Sequence, residues 1–298
     1  MHILYATDGS DGARLAGETL AALPLGADTR VEVLHVVTRY VPAAPALPHG
    51  MLDALRADED ARATTILDGA RALLEDTGWA VTARAVDGHP AQCITEAAAQ
   101  GGHDLIVTGA LGLSGWLRLV LGSNSLAVVR HAPCPVWVVK RRPKATRLDV
   151  LMATDGSDHA RAAVRALCRI PLPPDAVVHL LHVIPSVNEQ LRLTGSPLDP
   201  PVLEPLFELG QYLRQRGEHI LKEDADALSG TFAEVRPFLE EGDARRRILD
   251  AAKEVEADLI VMGSHGMSGV KEFLLGSVSH KVLKHARASV LVVPLPAP

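Results

Sequence analysis

Asp258-Leu259-Ile260-Val261-Met262-Gly263-Ser264-His265-Gly266, followed by Gly276-Ser277-Val278-Ser279, is the stretch on which the fold of this chain turns. The apolar run from Leu259 to Met262 reads as a buried strand. Gly263 and Gly266 end it, and Gly276 is a second turn that opens a helix. A near-copy stands earlier as Asp104-Leu105-Ile106-Val107-Thr108-Gly109-Ala110-Leu111-Gly112, then Gly122-Ser123-Asn124-Ser125. Both copies read G-x-x-G, nine residues, then G-S. A helix N-terminus offers N–H groups without helical partners and the positive end of a dipole, and glycine lets an anion approach the backbone. Two such helix starts, each after a buried strand, predict two phosphate sites. There the hydroxyls of Ser277 and Ser279, or of Ser123 and Ser125, donate to phosphate oxygens. The plain alternative is a glycine turn with an ordinary serine cap, and repetition at identical spacing argues against it.

Other segments recur as well. Ala6-Thr7-Asp8-Gly9-Ser10 returns as Ala153-Thr154-Asp155-Gly156-Ser157, and Leu34-His35-Val36 as Leu181-His182-Val183, both 147 positions on. The glycine stretches are 154 positions apart, so the second copy carries seven extra residues between its second strand and its last third. Such a period is far too long for a solenoid unit. It marks a duplicated domain, 1–141 and 147–298, joined by a short basic segment. Within the first copy, strands at 3–7, 31–37, 80–86, 105–108 and 136–140 alternate with helices from about Asp11, then at 54–77, 91–100 and 124–130. Pro24 stops the first helix and Gly78 ends the second. Strict alternation implies right-handed crossovers and a doubly wound α/β domain, with a parallel sheet covered on both faces. The second copy repeats the order, with a proline-rich loop at 185–205 before a helix at 206–228. The end strands Val136-Trp137-Val138-Val139 and Val290-Leu291-Val292-Val293 are as apolar as central ones. Uncovered apolar edges invite pairing, so the two copies are expected to form an internal pseudo-dimer through them.

Composition narrows the classes of function. The 298 residues carry a net charge of −6 with both signs mixed, which argues against a dedicated nucleic-acid binder. No apolar run reaches the roughly 18 residues of a membrane span, and the N-terminus already reads as a strand. A cytoplasmic protein with neither nucleic-acid nor membrane partners is expected. Cys93, Cys134 and Cys168 form no metal or redox spacing and read as structural thiols.

Asp8 and Asp155 follow the first strand of each copy. In an open α/β sheet, ligands sit beyond the carboxyl ends of the strands, where the strand order reverses. A carboxylate there accepts from a ribose hydroxyl or an amino group, caps the next helix, or does both. No lysine follows the second glycine as a P-loop requires, and no G-x-G-x-x-G follows the first strand. H-E-x-x-H, G-x-S-x-G and kinase signatures are absent too, so no residue is nominated as catalytic or as a metal ligand. Arg118 and Lys271, between the glycines, read equally as contacts for a terminal phosphate or as solvated surface cations. His265 reads more as an incidental loop histidine than as one facing the phosphates, and His35 and His182 read as structural.

With these residues in hand, the chain resembles two tandem universal stress protein domains of the ATP-binding type. Both copies match that family's G-x2-G-x9-G-[S/T] signature and its aspartate after the first strand. The resemblance implies an adenine nucleotide α-hydrolase-like fold with five parallel strands in the order 3-2-1-4-5, paired through the fifth strand. It implies that Ala153, Asp155 and Val183 line the adenine and ribose end, that Met262, Gly263 and Gly266 follow, and that Gly276, Ser277, Val278 and Ser279 hold phosphates. In the first copy the matching residues are Ala6, Asp8 and Val36, then Thr108, Gly109 and Gly112, then Gly122, Ser123, Asn124 and Ser125. That copy departs at Leu111 for His265 and Asn124 for Val278. ATP, with Mg²⁺ carried by the nucleotide, is the implied ligand. The implied role is regulatory, through nucleotide-dependent contacts with a protein partner or a further copy of the chain. A slow ATPase or nucleotide-processing enzyme, and a scaffold that binds no nucleotide, are the alternatives.

Overall fold

The computed structural model describes residues 1–39, 50–110, 121–143, 147–186, 200–266 and 275–295. The chain divides into two compact units, Met1–Arg142 and Pro143–Leu295. In the first, the elements are β1 (His2–Ala6), α1 (Asp11–Ala21), β2 (Arg30–Val37), α2 (Met51–Ala72), β3 (Ala80–Asp87), α3 (Pro90–Gly101), β4 (Leu105–Gly109), α4 (Ser123–His131) and β5 (Val136–Val139). Its strands lie in the order β3-β2-β1-β4-β5. In the second they are β6 (Asp149–Thr154), α5 (Asp158–Arg169), β7 (Val177–Ile184), α6 (Pro200–Ser229), β8 (Glu234–Glu241), α7 (Ala244–Glu254), β9 (Leu259–Gly263), α8 (Ser277–His285) and β10 (Ser289–Val293). Here the order is β8-β7-β6-β9-β10. This is the 3-2-1-4-5 arrangement twice, and all strand pairs within each unit are parallel.

The central strands explain the apolar runs. Tyr5 stands between Val33 on β2 and Val107 on β4. Ile3, Leu4, Tyr5, Leu105 and Ile106 have no exposed surface, nor do Val150, Leu151, Met152, Ile260 and Val261. Burying each such aliphatic side chain contributes about 1.5–3 kcal/mol. β3 and β8, each at one end of its unit's order, are partly exposed, as a sheet edge permits. β8 even carries Pro237, whose missing N–H such a strand tolerates.

A tight strand-to-helix turn follows β1 and β6. Gly9 and Gly156 take φ of +77° and +72°, a conformation open to glycine without strain. The next residue, Ser10 or Ser157, caps the helix by accepting from the N–H of Ala13 or Ala160, both at 3.2 Å. Asp8 and Asp155 brace the turn, each accepting from that serine's N–H at 3.0 Å. Tyr5 Oη donates to the Ala13 carbonyl at 2.6 Å and pins α1 to the sheet.

Two boundaries differ from the sequence expectation. Instead of running 54–77, α2 runs Met51–Ala72 and gives way to a 3₁₀ turn at Glu75–Thr77, which Gly78 closes at φ +73°. The helix α6 begins at Pro200, inside the segment read as loop, and holds Pro205. Prolines fit the first positions of a helix, because the N–H they lack has no helical partner there. A proline-rich stretch therefore marks a helix start as readily as a loop.

Candidate functional site

In each unit a cleft opens at the carboxyl ends of the strands, where the order reverses between β1 and β4 or between β6 and β9. The second-unit cleft has a volume of about 190 Å³ and the first about 140 Å³, so the second is the roomier. Ala153, Asp155, Val183, Met262, Gly263, Gly266, Gly276, Ser277, Val278 and Ser279 all line the second, together with Leu181, His265 and Ile248. Ala6, Asp8, Val36, Thr108, Gly109, Gly122, Ser123, Asn124 and Ser125 line the first, together with Leu34, Pro90 and Ile94. Gly112, Leu111, Arg118 and Lys271 lie outside the described residues.

The glycines do more than one job. A Cβ on Gly109 would lie 2.5 Å from the carbonyl carbon of Gly12, and one on Gly263 would lie 2.7 Å from that of His159. These two let the first turn of α1 or α5 sit directly on the end of the strand. Gly266 makes room differently, since its Cβ would lie 2.6 Å from Asp155 Oδ2. Its bare backbone lets the carboxylate occupy the lip of the cleft. At Gly276 a Cβ would meet the Ser264 oxygen at 3.1 Å and His265 Cα at 3.2 Å.

The helix starts are the electropositive part of the site. Gly276 N–H donates to the Ser264 carbonyl and Gly122 N–H to that of Ala110, both at 2.8 Å, which sets the turns. Among the described residues no side chain caps α4 or α8, whereas serines cap α1 and α5 beside the same clefts. The first-turn N–H groups of α4 and α8, which no helical carbonyl reaches, thus stand at the cleft wall.

The paired serines divide their roles. Ser279 and Ser125 are buried, and each hydroxyl donates at 2.8 Å to the last carbonyl of the neighbouring strand, Gly263 or Gly109. A hydroxyl has one proton, so these two tie helix to strand and keep only acceptor capacity. Ser277 and Ser123 are exposed at the cleft mouth.

His265 lines the second cleft, and behind it stands a second histidine, His159, that the sequence reading missed. Ser264 Oγ lies 3.1 Å from Nδ1 of both His159 and His265, whose rings sit 5.0 Å apart. Burial, then the neighbouring His265, lowers the His159 pKa against the opposing pull of Asp155 and Asp158. Burial lowers that of His265 too. At the matching positions the first copy has Gly12, Ala110 and Leu111. Beneath the cleft, Asp224 accepts from Thr154 Oγ1 at 2.6 Å, and burial raises its carboxyl pKa. Comparing the two copies at these positions was the available signal. His35 and His182 are structural, each giving its Nδ1 proton to a carbonyl at the end of the adjacent strand, that of Thr7 just past β1 or of Thr154 closing β6, at 2.8 Å. The three thiols are free. Cys134 is buried, which pushes its pKa up to about 12 and leaves it unreactive.

A parallel sheet whose order reverses at a cleft, with a carboxylate on one lip and an uncapped helix start on the other, built twice, defines a tandem α/β protein with two matching clefts. Residues 1–140 and 147–294 each match the universal stress protein family, and the chain belongs to that family. A universal stress protein of Mycobacterium tuberculosis is 28% identical over 300 aligned positions, which cover 97% of this chain and 96% of that protein. Universal stress protein YxiE of Bacillus subtilis is 33% identical over 147 residues, 48% of this chain and 97% of that protein, and so corresponds to one unit. The crystal structure of a universal stress protein from Archaeoglobus fulgidus shares the fold, with a TM-score of 0.68 at 22% identity and 98% coverage of both chains. Among the described residues no helix is long and apolar enough to cross a membrane.

Proposed function

We propose that this protein is a cytoplasmic regulator in the stress response that binds ATP, with Mg²⁺, in the second-unit cleft and more weakly in the first. The observation that carries this reading is the meeting, in one cleft, of an apolar floor, a carboxylate and an uncapped helix N-terminus. Adenine packs among Ala153, Leu181, Val183, Ile248 and Met262. Asp155 accepts from the ribose hydroxyls. The phosphates follow Gly266 to the first-turn N–H groups of α8 and the Ser277 hydroxyl, where the helix dipole favours negative charge. Mg²⁺ arrives with the phosphates and needs few protein ligands. In the first unit Ala6, Val36 and Thr108 take the base, Asp8 the ribose, and Gly122 to Ser125 the phosphates. Thr108 in place of Met262 and Asn124 in place of Val278 make that cleft more polar, which weakens it for a purine. Occupancy changes the surface offered to a protein partner.

Calorimetric titration with ATP and Mg²⁺ tests the reading. Saturable binding with one dominant site is expected, and no binding at millimolar nucleotide would overturn it. Phosphate or AMP release well above background, lost in Asp155→Ala, would replace the regulatory reading with an enzymatic one.

A further inference from the structure

At the amino end of the first unit's sheet, roughly 15 Å along the strands from the cleft, three side chains converge. His2 opens β1, Glu32 is the third residue of β2, and His103 stands two residues before β4. One ligand atom from each lies within 4.8 Å of the others. His103 Nε2 is 3.3 Å from Glu32 Oε2, and the His2 and His103 rings stack at 3.9 Å. The His103 side chain has no exposed surface, and neither ring nitrogen makes a well-aligned hydrogen bond among the described residues, although the Ala97 and Ala98 carbonyls and the Glu32 carboxylate lie near. Buried polar atoms are nearly always well paired, so an imidazole that meets only poorly aligned acceptors has the capacity for a better ligand. The backbone makes room for it, since a Cβ on Gly101 would lie 2.4 Å from His103 Cε1.

We propose that His2, Glu32 and His103 bind a divalent transition metal, with zinc the best match. Two imidazoles and a carboxylate are a common zinc donor set, with the fourth position left to water. Zinc bonds of about 2.0–2.1 Å place tetrahedral ligand atoms roughly 3.3 Å apart, the separation His103 and Glu32 already have. His2, which is part-buried, closes the remaining gap by a pivot about its Nδ1 contact with the Gly101 carbonyl, at 3.2 Å. A carbonyl only accepts, so Nδ1 carries the proton and Nε2 keeps the lone pair a metal needs. Arg84 Nε donates to Glu32 Oε1 at 2.7 Å, which orients the carboxylate and leaves Oε2 for the metal. The guanidinium charge offsets part of the attraction for a cation.

The second unit lacks the set. At the matching positions it has Asp149, His179 and Ala257. There His179 Nε2 is 3.1 Å from Asp149 Oδ1, which Arg147 also approaches at 3.1 Å, and Ala257 offers no ligand. One metal per chain is therefore expected.

The test titrates the untagged full-length chain with Zn²⁺ by calorimetry and with Co²⁺ by visible absorption. Saturable uptake of one equivalent, with the intense bands of tetrahedral cobalt, is the expected result. His2→Ala removes a part-buried ligand, Glu32→Gln keeps the shape, and metal-free melts check that both fold. Loss of an outer-shell partner costs metal sites about 10–100-fold in affinity, so each variant should weaken binding at least ~100-fold. ATP affinity should be unchanged in His2→Ala, which separates this site from the cleft. No saturable uptake, or uptake that both variants leave unaltered, overturns the proposal.

Discussion

Replacing Ser277 and Ser279 separately by alanine distinguishes a serine that meets the ligand from one that holds the site together. Ser279 is 3% exposed and donates at 2.8 Å to the Gly263 carbonyl. Its loss removes that bond and leaves a buried oxygen short of a donor, at a cost of about 2 kcal/mol. For a unit of this size that lowers the thermal midpoint by roughly 4–8 °C. Ser277 is exposed at the mouth, and its alanine variant should leave the midpoint unchanged. What it loses is a hydrogen bond to phosphate, about 1.4 kcal/mol at an exposed position and so roughly tenfold in ATP affinity. Scanning fluorimetry without ligand reads the first effect, and calorimetry with ATP and Mg²⁺ reads the second. The reasoning is refuted if Ser279→Ala keeps its midpoint while losing ATP, and Ser277→Ala keeps its affinity. Ser123→Ala and Ser125→Ala repeat the experiment in the first unit.

Gly266→Ala should weaken ATP binding at least ~tenfold with little change in the melt, because its Cβ, 2.6 Å from Asp155 Oδ2, drives the carboxylate off the lip; calorimetry beside a melting curve checks both halves. Gly276 is a poorer probe, since a side chain there strains the turn against Ser264 and His265 before it meets any phosphate. Acid should act in opposite directions on stability and on binding. Folding lowers the pKa of His159 and His265, so below about pH 6.5 the unfolded chain takes up more protons than the folded one, and stability falls as pH drops. Phosphate bound in the cleft favours a protonated His265, which lines it, so ATP affinity should rise over the same window. Melts and titrations from pH 7.5 to about 5 should show both trends, and a double His159→Asn, His265→Gln variant should flatten them.

The duplication, the alternation of strands and helices, and many of the residues that line the two clefts were legible in the residues alone. Those signals are local: an apolar run long enough for a strand, a turn glycine after it, and the same spacing met twice. Boundaries were less legible where one residue type serves two structures, as at Pro200, where proline starts a helix inside an apparent loop. Only the tertiary structure decided what individual residues do. Gly109 and Gly263 look like openings for an anion in sequence, and their Cβ directions turn out to be filled by α1 and α5. Ser279 and Ser277 are chemically identical and two residues apart, yet helix geometry buries one against a strand carbonyl and leaves the other at the mouth. Ser264 meets His159 from 105 residues away, and His2, Glu32 and His103 come from three separate segments. No local pattern encodes such meetings. They exist because a parallel sheet lays strands that are distant in sequence side by side, so their ends share one surface.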